Sequence, residues 1–143
     1  MKKVLIACLL FFASSAWCIA GNEADNKNFD WEALIQAIIK VESNGNAKAV
    51  SGRSVGALQI TPVLVQECNR ILKQRKSSKR YSLNDRFSVE KSKEMFLLFQ
   101  SRYNPSNDIE YAIRSWNGGP HYSNKATQRY YNKVMNYYKK TNA

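Results

Sequence analysis

The side chain with the clearest chemical intent is Glu42. It closes the segment "EALIQAIIKVES". At about 100° per residue it falls between Ile35 and Ile38, inside the apolar arc of a helix. An unpaired carboxylate taken out of water is costly, so its pKa rises and the proton stays on. A carboxyl still protonated near neutral pH is a general acid, and apolar surroundings are an established way to make one. Two plainer explanations compete: a buried arginine that pairs with Glu42, or a capping role at the helix end.

Glu42 is followed by "SNGNAKAVSGRSVGALQITP", a loop of small and polar residues. Such a loop brings backbone amides and hydroxyls close to a ligand. Gly45, Gly52 and Gly56 would permit that approach, with Gly118 and Gly119 on an opposite wall. Other candidates for chemistry are few. Cys68 lies in the apolar-periodic "PVLVQECNRILK", and the chain's single histidine, His121, lies in a loop. The cysteine therefore reads as a small core hydrophobe, and neither a cysteine nucleophile nor a metal site is indicated. Asp85, Glu90, Glu94, Asp108 and Glu110 stand on connections or helix starts, where capping accounts for them. The region around Glu42 thus offers one carboxylate, whereas ordinary glycosidases use two.

Five phrases in order, "VES", the serine of "AVS", "GALQI", "SWNGG" and "TQRYYNKV", resemble the motifs of lytic transglycosylases with the soluble-transglycosylase domain. That family belongs to the lysozyme-like superfamily and is similar to goose-type lysozyme. The resemblance spans about residues 30–140. It implies that Glu42 is the catalytic acid and base, that Ser51 contacts substrate near an acetamido group, and that Gln59 lines the groove. Asn117 matches the asparagine of the family's second wall, and Tyr130 its C-terminal tyrosine. Trp116 stands where the family has a tyrosine, keeping an aromatic wall without the hydroxyl. Ala57 and Leu58 replace a leucine and a methionine, and the loop between Glu42 and Gln59 is about one residue short.

The implied reaction is cleavage of the β-1,4 bond between N-acetylmuramic acid and N-acetylglucosamine in peptidoglycan. A 1,6-anhydro product forms, without cofactor or metal. Two alternatives stay open: a hydrolytic lysozyme, if water reaches the cleaved centre, and a weakly catalytic wall-binding module serving an envelope-spanning secretion or conjugation apparatus.

These residues need a scaffold, and the periodicity supplies helices. "FDWEALIQAIIKVESN" is predicted as a helix with Asp30 as N-cap and Phe29 stapled to Leu34. A second helix starts at Thr61 with Pro62 in its first turn. "SVEKSKEMFLLFQSRYN" is a third, apolar on almost every face and so expected at the centre. "SNDIEYAIRSW" is a fourth, capped by Ser106 or Asn107, and "NGGPHYS" is a break. The last runs from about Lys125 to Lys140, with Thr127, Tyr130, Tyr131, Val134, Tyr137 and Tyr138 on one stripe. No strand alternation is visible. The expected fold is all-α, a lysozyme-like helical domain with a substrate groove over residues 29–143.

The chain opens on "MKKVLIACLLFFASSAWCIAG", the layout of a secretory signal ending at Ala20, with a polar, unstructured stretch over 21–28. The apolar run is too short to span a bilayer, so a stable membrane anchor is not expected. Export to the periplasm or cell envelope is. Removing residues 1–20 takes away Cys8 and Cys18, leaves Cys68 alone, and so permits no internal disulfide. The formal charge of +11 loses only Lys2 and Lys3 with the signal. Its densest run, "RILKQRKSSKR", lacks interleaved aromatics, which argues against nucleic acid; for an exported chain it suits either the anionic envelope or a solvated loop with no specific ligand. A monomer acting on glycan strands is the expected form.

Overall fold

A computed structural model describes residues 29–141, and the expected signal sequence and polar leader lie outside them. The described chain is mainly helical, as expected, with one very small sheet.

Helix α1 (Glu32–Ser43) forms because Leu34, Ile35, Ala37, Ile38 and Ile39 can all be buried on one side. The Asp30 carboxylate accepts from the Glu32 amide at 2.9 Å, although the helix itself begins after Trp31. Phe29 packs edge-on against Trp31, with centroids 4.5 Å apart. The helix stops at Asn44, whose φ of +53° is left-handed and whose amide returns to the Lys40 carbonyl. Asparagine tolerates that conformation better than most residues.

The following loop folds back as β1 (Val50–Ser51) and β2 (Ser54–Val55), antiparallel with Val50 opposite Val55 and Ser51 opposite Ser54. Val55 also bridges to Ile60. Two-residue strands are too short to display alternation, which is why periodicity missed them.

Helix α2 (Pro62–Gln74) starts as expected, with the Thr61 hydroxyl accepting from the Leu64 amide. A short 3-10 helix, Leu83–Phe87, leads into α3 (Val89–Tyr103), capped by Ser88. In α3, Met95, Phe96, Phe99 and Gln100 are buried, but Leu97 is 40% exposed. The expectation that "MFLLF" is covered on all faces therefore overreached: Leu97 turns away from the arc that meets α2 and the core.

Helix α4 (Ile109–Gly118) is capped by Asp108, which accepts from the Tyr111 amide at 2.6 Å, and not by Ser106 or Asn107. The buried Asn104 side chain grips both the amide and the carbonyl of Asp108, at 2.9 and 2.8 Å, and so fixes the helix start one residue later. Asn117 and Gly118, expected in the break, complete the last turn of α4.

Helix α5 (Asn124–Thr141) buries Thr127 and Val134, and its Tyr130, Tyr131 and Tyr138 pack on the core, while Tyr137 is exposed. It is locked to α4 by Arg114. That buried guanidinium donates to Glu110, the Asn124 carbonyl, Thr127 and Gln128, and lies over the Tyr131 ring at 4.3 Å. Cys68 is fully buried in the core, and burial pushes its thiol up to about 12. It is packing material, as expected of a thiol this far from ionisation at neutral pH.

Among the described residues no helix is long and apolar enough to cross a membrane. The basic run is partly paired with local acids and hydroxyls: Arg70 to Glu67, Lys79 to Glu94, and Arg75 to Ser101.

Candidate active site

A groove of about 550 Å³ opens beside the end of α1. Glu42 lies in its lining together with Ser51 and Gln59 from the loop, Trp116 and Asn117 from α4, and Glu67 and Tyr103 from α2 and α3. Among the described residues, no group of three or more His, Cys, Asp or Glu side chains could hold a metal ion.

Glu42 occupies the last turn of α1, half-buried. The Tyr130 hydroxyl donates to its Oε1 at 2.7 Å, and no cation comes within ion-pair distance among the described residues. Burial pushes the Glu42 pKa above the usual carboxylate range, and the Tyr130 hydrogen bond opposes part of that rise. The competing explanations fall away: no arginine pairs with Glu42, and its one side-chain hydrogen-bond partner is a phenol. Tyr130 itself stays protonated, because burial and the neighbouring carboxylate both drive its pKa well above 10. The pair is brought together across 88 residues by the packing of α5 against α1. The Arg114 network holds α5 in that place.

This arrangement has a testable consequence. In Tyr130→Phe the one group that lowers the Glu42 pKa is gone while burial remains, so the carboxyl should titrate at still higher pH. Its carboxylate form, the state left after proton donation by the acid expected from the sequence, loses a hydrogen bond. Such a bond to a charged group is worth enough to slow the chemistry roughly tenfold. NMR titration of the Glu42 carboxyl checks the first effect, and a midpoint moving downward would contradict the geometry. Rate measurement on the cell-wall substrate expected from the sequence checks the second.

The opposite wall is built as carefully. Gln59 has a φ of +50°, and its Nε2 donates to the Gly56 carbonyl at 2.9 Å and to the Ala49 carbonyl at 3.4 Å. Those two bonds fix the amide so that Oε1 is the atom left for a ligand. Trp116 does more than supply a wall. Its Nε1 donates to the Leu58 carbonyl at 3.2 Å, and its ring packs on Phe96 with centroids 5.0 Å apart. It thereby ties α4 to the "GALQI" turn. Ser51 and Asn117 are exposed at the rim. Of the residues expected at the site, Glu42, Ser51, Gln59, Trp116 and Asn117 line the groove, whereas Tyr130 stands behind Glu42 and holds it.

One expectation needs correction. Gly56 does not bring backbone to a sugar. It is buried, and a Cβ there would lie 1.8 Å from the Arg86 carbonyl oxygen. Its smallness serves the packing of the loop onto the 3-10 helix. Gly118 is likewise filled around, by Tyr122 and Thr127, whereas Gly119, at φ +79° beside the groove, turns the chain in open space.

Three positions that shape the groove escaped sequence reasoning. Ser43, though part of the "VES" phrase, had no role; its hydroxyl donates to the Ala57 carbonyl at 2.8 Å and pins the loop to the end of α1. Arg86, buried, donates to the carbonyls of Leu83, Arg53 and Ile60 and so holds the loop from below. Glu67 is a second carboxylate in the groove lining. Its place on the helix that follows the "GALQI" phrase was the only available signal, and the amphipathic pattern of α2 alone does not show that this face meets a cleft.

Comparison with known families gives a match to the description "Transglycosylase SLT domain", which fits residues 20–139. No curated protein and no solved structure matches the chain.

Proposed function

The chain belongs to the transglycosylase SLT domain family, whose members generally act on peptidoglycan as lytic transglycosylases, and from that premise we propose that it cleaves glycan strands with Glu42 as the one acid and base. The observation that carries this reading is the state of Glu42: set in a groove, raised in pKa by burial, bound through one oxygen to Tyr130 and paired with no cation.

In the proposed reaction the Glu42 carboxyl gives its proton to the glycosidic oxygen between N-acetylmuramic acid and N-acetylglucosamine. The bond from that oxygen to C1 breaks, and the substrate's acetamido oxygen stabilises the positive charge left at C1. Glu42, now a carboxylate hydrogen-bonded by Tyr130, takes the proton of the muramic C6 hydroxyl as its oxygen bonds to C1. The 1,6-anhydro ring closes, Glu42 is again protonated, and no water is consumed. Ser51 and Asn117 at the rim and the fixed Gln59 amide supply hydrogen bonds to sugar substituents. The Trp116 ring offers an apolar wall suited to a pyranose face.

Glu67 does not supply the second carboxylate of an ordinary glycosidase. Both of its oxygens are held by Arg70, at 2.6 and 2.8 Å, and one also accepts from Tyr103. The Arg70 bonds also lower the Glu67 pKa and offset its charge, which makes it a poor base and a weak nucleophile.

The test is mass spectrometry of purified sacculi digested with the protein. Muropeptides with 1,6-anhydro ends are the expected product. Reducing ends throughout would mean that water completes the reaction and that the chain is a hydrolase. Intact sacculi that nonetheless retain the protein would reduce it to a wall-binding module. Export to the periplasm or envelope, where this substrate lies, is part of the same proposal and rests on the opening residues 1–20.

A further inference from the structure

Beyond Glu42, the α2 and α3 side of the groove carries a second set of fixed polar and aromatic groups. Glu67 and Tyr103 both line the groove, from helices that meet only through folding. The Tyr103 hydroxyl donates to Glu67 Oε1 at 2.5 Å. Arg70, one turn further along α2, donates through Nη2 to Oε1 and through Nε to Oε2. Arg70 does not belong to the groove lining. It grips Glu67 from outside the lining. Phe99 lies under the Tyr103 ring with centroids 4.8 Å apart, and Phe99 in turn meets Trp116 at 6.2 Å. Exposed Val63 and half-buried Leu64 complete this side. Tyr103 also borders a neighbouring depression of about 450 Å³, lined by Tyr111 and Tyr122 among others. It therefore stands between the groove of Glu42 and a second hollow.

We propose that Glu67 and Tyr103 form a saccharide subsite on the α2–α3 side of the groove, taking a pyranose of the glycan strand beyond the sugars that straddle Glu42. This rests on the glycan-binding reading of the groove. The ligand class follows from the chemistry. The Arg70 guanidinium already neutralises the Glu67 charge, so the site has little to offer a peptide-stem ammonium. Oε1 is filled by Arg70 and Tyr103, while Oε2 accepts only from Arg70 Nε and keeps one lone pair for a hydroxyl or acetamido donor, in an orientation set by those bonds. An aromatic ring and two aliphatic side chains beside it suit the C–H face of a pyranose. Fixed acceptors next to apolar surface are what a sugar ring requires, with little ordering left to do on binding. Glu67 is here a binding residue, and the chemical step at Glu42 does not pass through it.

The experiment is calorimetric titration of Glu42→Gln protein, which binds without turnover, with a peptide-free N-acetylglucosamine hexasaccharide and with a peptide-bearing glycan strand. Adding Glu67→Ala should weaken both ligands by the same factor, roughly tenfold. Tyr103→Phe, which keeps the ring and loses one anchor of the carboxylate, should weaken both by a few-fold. Glu67→Gln, which keeps an acceptor, should recover part of the loss. Arg70→Ala leaves the acceptor in place and should cost less than Glu67→Ala. Equal losses in those two variants, tracked by equal drops in Tm, would make the pair a mere brace of α2 and overturn the subsite. A loss confined to the peptide-bearing strand would overturn the assignment to sugar, and unchanged binding, or no binding to either ligand, would overturn it altogether. Wild-type protein that leaves sacculi intact, while Glu67→Ala still weakens glycan binding, would sink the proposed reaction and leave this subsite standing.

Discussion

Glu42→Gln should abolish cleavage of sacculi, with a loss of roughly 10² to 10⁴-fold, the contribution typical of a positioned general acid and base. The amide is nearly isosteric, can still accept from the Tyr130 hydroxyl, and cannot give up a proton to the glycosidic oxygen. Binding of glycan strands should persist. The same substitution has a second signature that a merely structural glutamate would not produce. Burial raises the folded-state pKa of Glu42 above its ordinary value, so the folded protein holds this proton more tightly than the unfolded chain does. The wild type is therefore at full stability, as far as this group goes, below the unfolded pKa. It loses stability as pH rises through the raised folded value. The amide of the variant does not titrate and has no such dependence. Urea unfolding should accordingly show Glu42→Gln more stable than wild type at neutral pH, with the gap closing as the pH falls to the ordinary carboxylate range. Retained lysis by this variant would end the single-glutamate reading, and a variant less stable at neutral pH would mean that the carboxylate is a structural partner.

Gly56→Ala should be the most damaging single-methyl change in the loop. Gly56 has a φ of +81°, and an added Cβ would sit 1.8 Å from the Arg86 carbonyl oxygen and 2.9 Å from its carbon. The left-handed conformation alone costs a non-glycine residue about 1–2 kcal/mol. Here the obstruction is backbone, and that backbone is fixed: the Arg86 carbonyl accepts from Ser92 at 3.1 Å, and the Arg86 side chain holds the carbonyls of Arg53 and Ile60. The loop must lift away. We expect a loss of about 3 kcal/mol or more, in the tail reserved for overpacking and backbone strain. For a domain of this size that lowers Tm by roughly 10 °C or more. Gly52→Ala, at φ +59° with nothing within 4 Å of the added carbon, is the control and should cost only the conformational part. Equal Tm values for the two variants would show that the Arg86 contact can relax. Because the Gly56 carbonyl also accepts from the Gln59 amide, partial survivors of Gly56→Ala should bind glycan poorly as well.

The helices were readable in advance because each carries its own cause. Thr61 and Ser88 are side-chain caps that work within three residues, and the apolar arc of α1 needs only its own 3.6-residue period. Glu42 was readable for the same reason: a charged group on an apolar arc is a local contradiction, visible within a single helix. The cap of α4 was misplaced because the choice between Asn107 and Asp108 is made by Asn104, whose side chain grips the turn only once it is buried. The two-residue strands and the exposure of Leu97 were hidden likewise, since both depend on which neighbour arrives.

That Glu42 faces inward was available from its helix, and the resemblance named Ser51, Gln59, Trp116, Asn117 and Tyr130 as candidates beside it; the structure brings all six to one groove or directly behind it. Their relations were not available in advance. That Tyr130 hydrogen-bonds Glu42 rather than lining the groove, that Trp116 anchors the Leu58 carbonyl, that Gly56 yields space to Arg86, and that Glu67 faces the cleft all depend on segments far apart in the chain. Local periodicity reports which face of a helix turns inward. It carries no information about which distant side chain will be met there, because that partner is selected by the packing of α5, α4 and α3 around α1 and the loop, and the free energy of that choice belongs to the assembled core.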